Sequence, residues 1–353
     1  MIDQEPFMPT MRAARFNAGN RRLTVEQVPV PEPGPGEVLV RVKACGICLS
    51  DVHLIDGSLP ATLPEVTPGH ESAGIVEAAG PGVAGWQPGQ RVAMAGGKVC
   101  GRCRNCAHGR YEECLDLQLM GFAYDGAWAE FVRVPAVALT EVPDHIPFEQ
   151  AAIVADAVAT PYAGLVERAG LRAGQSAGLW GIGGLGIHAV RIARMVGAAP
   201  IIAVDPSERA RARALEAGAD HAIHPRAGDV RAAILAHTGG TGLDLGVDLV
   251  GANAVLAEAA GCLGRFGKLL MVGLSTDPIQ LGPGVVFGVS GHSLLGHLGY
   301  QKRHLDELVT LVSSGRLDIS GSVSGTLALD DIAEGVEQLA SKRGDPIRLV
   351  VLP

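Results

Sequence analysis

The spacing of hydrophobic and polar residues changes near residue 155. Before that point apolar and polar positions alternate over short stretches such as EVLVRV (37–42) and GQRVAM (89–94). Each stretch is cut by a turn rich in Gly and Pro: PEPGPG (31–36), PEVTPGH (64–70) or GVAGWQPGQ (82–90). Alternation with a period of two between such breakers predicts many short strands. After residue 155 continuous apolar runs are separated by stretches of helical period. QSAGLW leads into GIGGLGIHAVRIARMVGA and PIIAVD; SERARARALEAGA follows, then DLGVDLVG, VLAEAAGCLGRFG and KLLMVG. Buried strands alternating with helices predict a parallel sheet covered on both faces. From about residue 303 two more helical stretches, RHLDELVTLVSSG and DDIAEGVEQLASK, precede a last strand, IRLVVL. The expected class is α/β, with a strand-rich first domain and a doubly wound second one.

The chain has 353 residues, which suits two domains at roughly 100–200 residues each. Aromatic residues make up only 4%, so the cores must be built from Val, Leu, Ile and Ala. A net charge of −8 argues against a surface that tracks nucleic-acid phosphates. Arg209, Arg211 and Arg213 are diluted by Glu208 and Glu216 and read as a solvated helix face. The opening MIDQEPFMPT lacks the basic start and apolar run of a secretory leader, and no stretch approaches the ~18 apolar residues of a membrane span. A soluble cytoplasmic protein is expected, with no membrane or nucleic-acid partner. Structural disulfides are disfavoured in that compartment.

Gly181, Gly183, Gly184 and Gly186 form G-x-G-G-x-G between a predicted strand and a helix starting near Leu185. Such a turn lets backbone approach a pyrophosphate, whose charge is then met by the helix N-terminus. Asp205 closes the next strand and can accept from ribose hydroxyls while repelling a 2′-phosphate, so NAD(H) is expected rather than NADP(H).

Cys100, Cys103, Cys106 and Cys114 follow C-x2-C-x2-C-x7-C. Four thiolates at this spacing can close around one tetrahedral ion and leave no position for substrate, which points to structural zinc. An iron–sulfur cluster uses different spacings. Chemistry is expected instead at CGICLSDVH (45–53) and GHESAG (69–74). There Cys48 and His70 suit Zn²⁺, and Asp51 can orient the imidazole. Two ligands need a third. Cys45 and Cys262 read as core residues.

This set resembles the zinc-dependent alcohol dehydrogenases of the medium-chain dehydrogenase/reductase superfamily, over nearly the whole chain. The resemblance rests on G-H-E-x2-G at Gly69, His70, Glu71 and Gly74, continued by Gly80 and Val83. It rests also on C-x-S-D at Cys48, Ser50 and Asp51, on the four-cysteine lobe, and on the glycine turn. It implies a GroES-like catalytic domain (1–156 and 296–353, with a structural-zinc lobe at about 96–116) and a Rossmann domain (157–295). It implies one catalytic and one structural Zn²⁺ per subunit, NAD(H), and interconversion of a primary or secondary alcohol with its aldehyde or ketone.

In that family pattern Cys48 and His70 hold the catalytic zinc, and Ser50 and His53 relay the substrate proton through the nicotinamide ribose. The family's third ligand is often a cysteine four residues before a threonine. Here Asp156 stands four residues before Thr160, as in some bacterial relatives, and is assigned as the ligand. Glu71 is either an alternate ligand or a buried carboxylate beside the site. Thr160, Leu185 and Val272 join the glycine turn and Asp205 on the cofactor surface. Leu49 stands where a basic pyrophosphate contact is common, which leaves Arg348 as the matching arginine. Gly96 replaces an aromatic and Trp128 matches one, implying a substrate pocket open to substituted or cyclic alcohols. Homo-oligomers, tetramer or else dimer, are the family habit, with strands near 282–295 as contact edges. Two other readings are an NADH-dependent reductase of activated carbon–carbon double bonds and a noncatalytic zinc and dinucleotide sensor.

Overall fold

The structure, a computed structural model, describes residues 9–353. The opening MIDQEPFM, on which most of the leader reading rests, lies outside them. The chain divides into two compact units, one comprising the chain up to Asp156 with 301–309 and 322–353, the other 157–300 with 310–321.

The first unit opens with β1 (Thr10–Asn17), β2 (Arg22–Pro29), β3 (Glu37–Ile47), α1 (Leu49–Asp56), β4 (Glu65–Val66), β5 (Ser72–Ala79) and β6 (Arg91–Met94). It continues through β7 (Gly97–Lys98), α2 (Arg104–Ala107), β8 (Gln118–Leu119), β9 (Phe131–Pro135), β10 (Leu139–Glu141) and α3 (Phe148–Ile153). The second unit holds α4 (Ala159–Tyr162), β11 (Ala177–Trp180), α5 (Gly186–Val196), β12 (Ile201–Val204), α6 (Glu208–Glu216) and β13 (His221–Ile223). It goes on with α7 (Val230–His237), β14 (Leu243–Asp248), α8 (Asn253–Gly261), β15 (Leu263–Met271), α9 (Gly284–Ser290) and β16 (Ser293–Gly296). The tail adds α10 (Lys302–Ser313), β17 (Val323–Ala328), α11 (Ile332–Ala340) and β18 (Arg348–Leu352).

In the first unit β3 is the spine of a seven-stranded sheet in the order β10-β6-β5-β3-β18-β17, and it also pairs with β9. Its sequence EVLVRVKACGI is buried at eight of eleven positions because neighbours flank it on both sides. Val38, Val40, Val42 and Ile47 join Met94, Val132, Val351 and Val336 in one apolar core. Pairing with β18 puts the end of β3, where the chain enters Cys48, against the last strand of the protein.

In the second unit six parallel strands run β13-β12-β11-β14-β15-β16, the doubly wound class expected from alternating strands and helices. The chain's return does not fall at residue 296. β16 closes there as the edge strand of this sheet, and 310–321 also cluster with the second unit, where Arg191 of α5 donates to the Asp318 carbonyl. The expected strands near 282–295 are also corrected. GVVFGVS is helix α9, started at Pro283 and ended by Gly291 in the left-handed region, and only Ser293–Gly296 is strand.

Candidate active site and metal centres

The polypeptide leaves β3 and turns at once into α1, with Cys48 as its N-cap. Asp51, at the third helical position, accepts from the Cys48 amide at 2.9 Å and from the Gly69 amide at 3.3 Å. The same carboxylate lies 3.2 Å from His70 Nδ1. One fully buried aspartate therefore caps the helix, holds the G-H-E turn and turns Nε2 of His70 outward. Gly69 sits at φ +93°, and a Cβ there would meet Trp128 and the Cys45 sulfur inside 3 Å. Only glycine allows the turn to pack this tightly.

Opposite Nε2 lies Asp156, on the helical stretch following α3. Its Oδ2 is 3.5 Å from Cys48 Sγ and 3.7 Å from His70 Nε2. Ligand atoms of Cys48, His70, Glu71 and Asp156 all lie within 4.8 Å of one another. A tetrahedral ion with bonds of about 2.0–2.3 Å spaces its ligands at roughly 3.3–3.8 Å, so the three-residue cradle fits zinc in size and donor type. Its electrostatics point the same way. Burial pushes His70 down, yet Asp51, Asp156 and Cys48 together bring it well above its ordinary value. Burial raises Asp156, and His70, Glu71 and Arg348 more than reverse that. Such a pocket favours positive charge. Ser50 Oγ lies 3.3 Å from His70 Nε2, at the rim of this cradle, and His53 is one helical turn on, half-exposed, 3.7 Å from Asp56.

Two expected positions take other roles. Arg348 is sealed from solvent, with Nη2 3.0 Å from Glu71 Oε1 and Nη1 donating to the Ile47 carbonyl at 3.2 Å. Its guanidinium serves the first unit's interior, and the expected pyrophosphate contact is corrected accordingly. Trp128 is fully buried, its indole N–H donating to the Gly46 carbonyl at 3.2 Å, so it is a core residue and not a pocket wall. Gly96 does lie beside the site, since a Cβ there would stand 3.4 Å from the His70 carbonyl. The aromatic that faces the metal cradle is Phe122, partly exposed, its ring centroid 5.6 Å from that of His70. Nothing in the periodicity around MGFAYDG distinguishes Phe122 from Tyr124.

The four lobe cysteines converge independently, their sulfurs within 4.8 Å of one another and Cys100 and Cys106 at 4.0 Å. Backbone amides of Cys100, Cys103, Cys106 and Asp116 point at sulfur from 3.3–3.5 Å. Amides of Cys106 and Leu115 bring the Cys103 thiol down to about 6. Clustered thiolates without disulfides fit a closed tetrahedral site.

In the second unit Gly186 opens α5 with no room for a side chain, because a Cβ would lie 2.0 Å from the Gly181 carbonyl oxygen. Gly183 is exposed, with nothing within 4 Å of a would-be Cβ, so the backbone there is approachable. Leu185 is the N-cap residue, and no side chain caps α5, which leaves this helix end suited to an anion. Asp205 accepts from the Ile182 amide and from the Ser207 amide, both at 2.7 Å, and so clamps the glycine turn. Each carboxylate oxygen keeps a second lone pair for a ribose hydroxyl. Val272 follows β15 and donates to the Asp248 carbonyl, and Thr160 is buried on α4.

Residues 34–144 match the family described as alcohol dehydrogenase GroES-like domain, and 184–314 the family described as zinc-binding dehydrogenase. The putative alcohol dehydrogenase D of Mycobacterium tuberculosis is 33% identical over 98% of this chain and 100% of its own. An L-threonine 3-dehydrogenase of Pyrococcus furiosus is 33% identical over 83% of this chain and 84% of its own. Among solved structures, the alcohol dehydrogenase TADH from Thermus sp. ATN1 superposes with a TM-score of 0.89 at 31% identity, covering 97% of this chain and 99% of that one.

Proposed function

The chain belongs to the zinc-dependent alcohol dehydrogenases of the medium-chain dehydrogenase/reductase superfamily, and on that premise we propose how its residues carry the reaction. The enzyme interconverts an alcohol and its carbonyl compound with NAD(H). The observation carrying the residue assignment is the convergence of Cys48 Sγ, His70 Nε2 and Asp156 Oδ2. Zinc held by Cys48, His70 and Asp156 would supply Lewis-acid stabilisation of negative charge on the substrate oxygen, and a dinucleotide on the glycine turn would supply the hydride acceptor or donor. Asp51 fixes the His70 tautomer by facing Nδ1. Ser50 takes the substrate hydroxyl proton, and His53, half-exposed, passes it on to solvent. Glu71, held by Arg348, stands ready as a fourth ligand at the cradle, beside the carboxylate of Asp156. Phe122 forms an apolar wall and Gly96 leaves the space beside the His70 backbone open, which suits substituted or cyclic alcohols.

We propose cytoplasmic residence; among the described residues no helix is long and apolar enough to cross a membrane. Support for a homo-oligomer, tetramer or else dimer, comes from the open edge of β16 and the exposed Val285, Val286 and Val289 of α9. The testing experiment is a panel of cyclohexanol, benzyl alcohol and ethanol with NAD⁺, followed by NADH absorbance, with zinc measured on the same sample. Two zinc per chain and a preference for the larger alcohols are expected; a clear preference for ethanol rejects the open pocket. Faster NADH oxidation with enones than with ketones favours the double-bond reductase, and no turnover on any substrate favours the sensor.

A further inference from the structure

The order of the second sheet sets a direction for a dinucleotide lying across its carboxyl edge. Asp205, the expected adenosine-ribose partner, ends the β12 side, and the glycine turn for the pyrophosphate follows β11. The other half of the ligand must then lie over the ends of β14, β15 and β16. His297 is the first residue past the carboxyl end of β16. Its amide donates to the Met271 carbonyl at 3.0 Å, where β15 ends beside Val272. Its imidazole Nε2 lies 2.9 Å from the carbonyl oxygen of Thr160. A carbonyl only accepts, so Nε2 carries the proton. Gly164 makes room for the ring, since a Cβ there would stand 2.9 Å from His297 Cδ2. Arg168 adds a second tie, donating to the Gly296 carbonyl at 3.1 Å. The helical segment receiving these ties is irregular, α4 passing directly into a π turn over Ala163–Arg168. Such turns interrupt the regular helical ladder and recur at functional sites.

We propose that His297 is a positioning residue for the nicotinamide half of the cofactor, its imidazole locking the helical segment that carries Thr160 to the end of β16. The inference rests on the dinucleotide reading above and names a side chain outside the glycine turn. Loss of this bond leaves the Thr160 carbonyl tied only within its own helical segment, where the Ala163 amide donates to it, and lets the loop after β16 drift. The glycine turn and Asp205, on the other side of β11, are untouched.

The test measures NADH and ADP-ribose binding to the zinc-loaded full chain by fluorescence and calorimetry, for the unaltered protein and for His297→Ala, His297→Gln and His297→Asn. ADP-ribose has the adenosine and pyrophosphate but no nicotinamide. His297→Ala should weaken NADH about five-fold, the scale of one net hydrogen bond, and leave ADP-ribose unchanged. Glutamine, whose amide nitrogen reaches the place of Nε2, should restore NADH affinity, and asparagine, one methylene shorter, should not. If the alanine variant does not fold, the glutamine and asparagine pair decides the matter. Unchanged NADH affinity, or an equal loss for both ligands, overturns the role of His297 alone. Failure of the unaltered protein to bind either ligand overturns the dinucleotide reading beneath it.

Discussion

Arg348 and Glu71 form an ion pair at 3.0 Å with both side chains withdrawn from water, one from the last strand and one from the G-H-E turn. A paired buried charge tolerates removal of both partners better than removal of one. Arg348→Met alone should cost about 3–5 kcal/mol, because it strands Glu71 beside Cys48 and Asp156. Glu71→Gln with Arg348→Met should recover part of that loss. Thermal unfolding of the single and double variants, with zinc content, checks this; a double variant less stable than Arg348→Met contradicts it.

Asp156 supplies a hard oxygen where the family often uses a thiolate. Asp156→Asn keeps the shape and removes the charge, so zinc affinity at the Cys48/His70 cradle should fall by roughly 10- to 100-fold or more. Asp156→Cys restores an anionic ligand and should hold zinc. Competition with a chromophoric chelator measures both. Equal affinity of Asp156→Asn and the unaltered chain would remove this residue from the ligand set.

The lobe of Cys100, Cys103, Cys106 and Cys114 has no vacant ligand position for substrate. Cys103→Ser should therefore leave one zinc per chain and lower the thermal midpoint while most turnover survives. Cys48→Ser should abolish turnover and leave NADH binding intact. Metal analysis and kinetics on the two variants separate structural from catalytic zinc.

Asp205 has two tasks that a single substitution cannot separate. Asp205→Ala removes the repulsion of a 2′-phosphate, yet it also releases the Ile182 and Ser207 amides that shape the glycine turn. NADH affinity should drop about ten-fold, as for loss of a charged hydrogen bond, and NADPH affinity should not rise to the level of NADH in the unaltered chain. Fluorescence titration with both nucleotides tests it.

What could be read from the sequence was what sterics and local spacing dictate. Gly186 must be glycine because a carbonyl lies where its Cβ would be, and four cysteines within fifteen positions can meet without help from distant parts of the fold. Asp156 came from resemblance, since nothing local marks ADAVATPY as a ligand. The misplaced features depend on partners remote in sequence. Resemblance matched Trp128 to a pocket aromatic, but Gly46 and Gly69, remote in sequence, hold its indole in the core. Arg348 has no local sign of Glu71. GVVFGVS is rich in β-branched valine and reads as strand, while Pro283 and Gly291 at its ends bound a helix. β15 begins at Leu263, inside a stretch read as helix, and Phe266 adopts φ +59° there beside a register shift against β14.

Trp128 and Phe122 should respond oppositely to substitution. Trp128 fills the core against Gly69, so Trp128→Ala should destabilise the protein by about 3–5 kcal/mol whatever the substrate. Phe122 is partly exposed, with its ring tilted against His70 and packed on the small cluster of Phe16, Leu54 and Val66, so Phe122→Leu removes apolar wall at the cradle while keeping an apolar side chain on that cluster. A missing methylene or ring edge in an apolar pocket changes discrimination by about 10- to 200-fold at most. For Phe122→Leu the ratio of kcat/KM for benzyl alcohol over ethanol should fall within that range, with the thermal midpoint nearly unchanged. Trp128→Phe should lower the midpoint and keep the ratio. If Trp128→Phe shifts the ratio and Phe122→Leu does not, the wall beside the metal is Trp128, and the burial of its indole is no guide to its role.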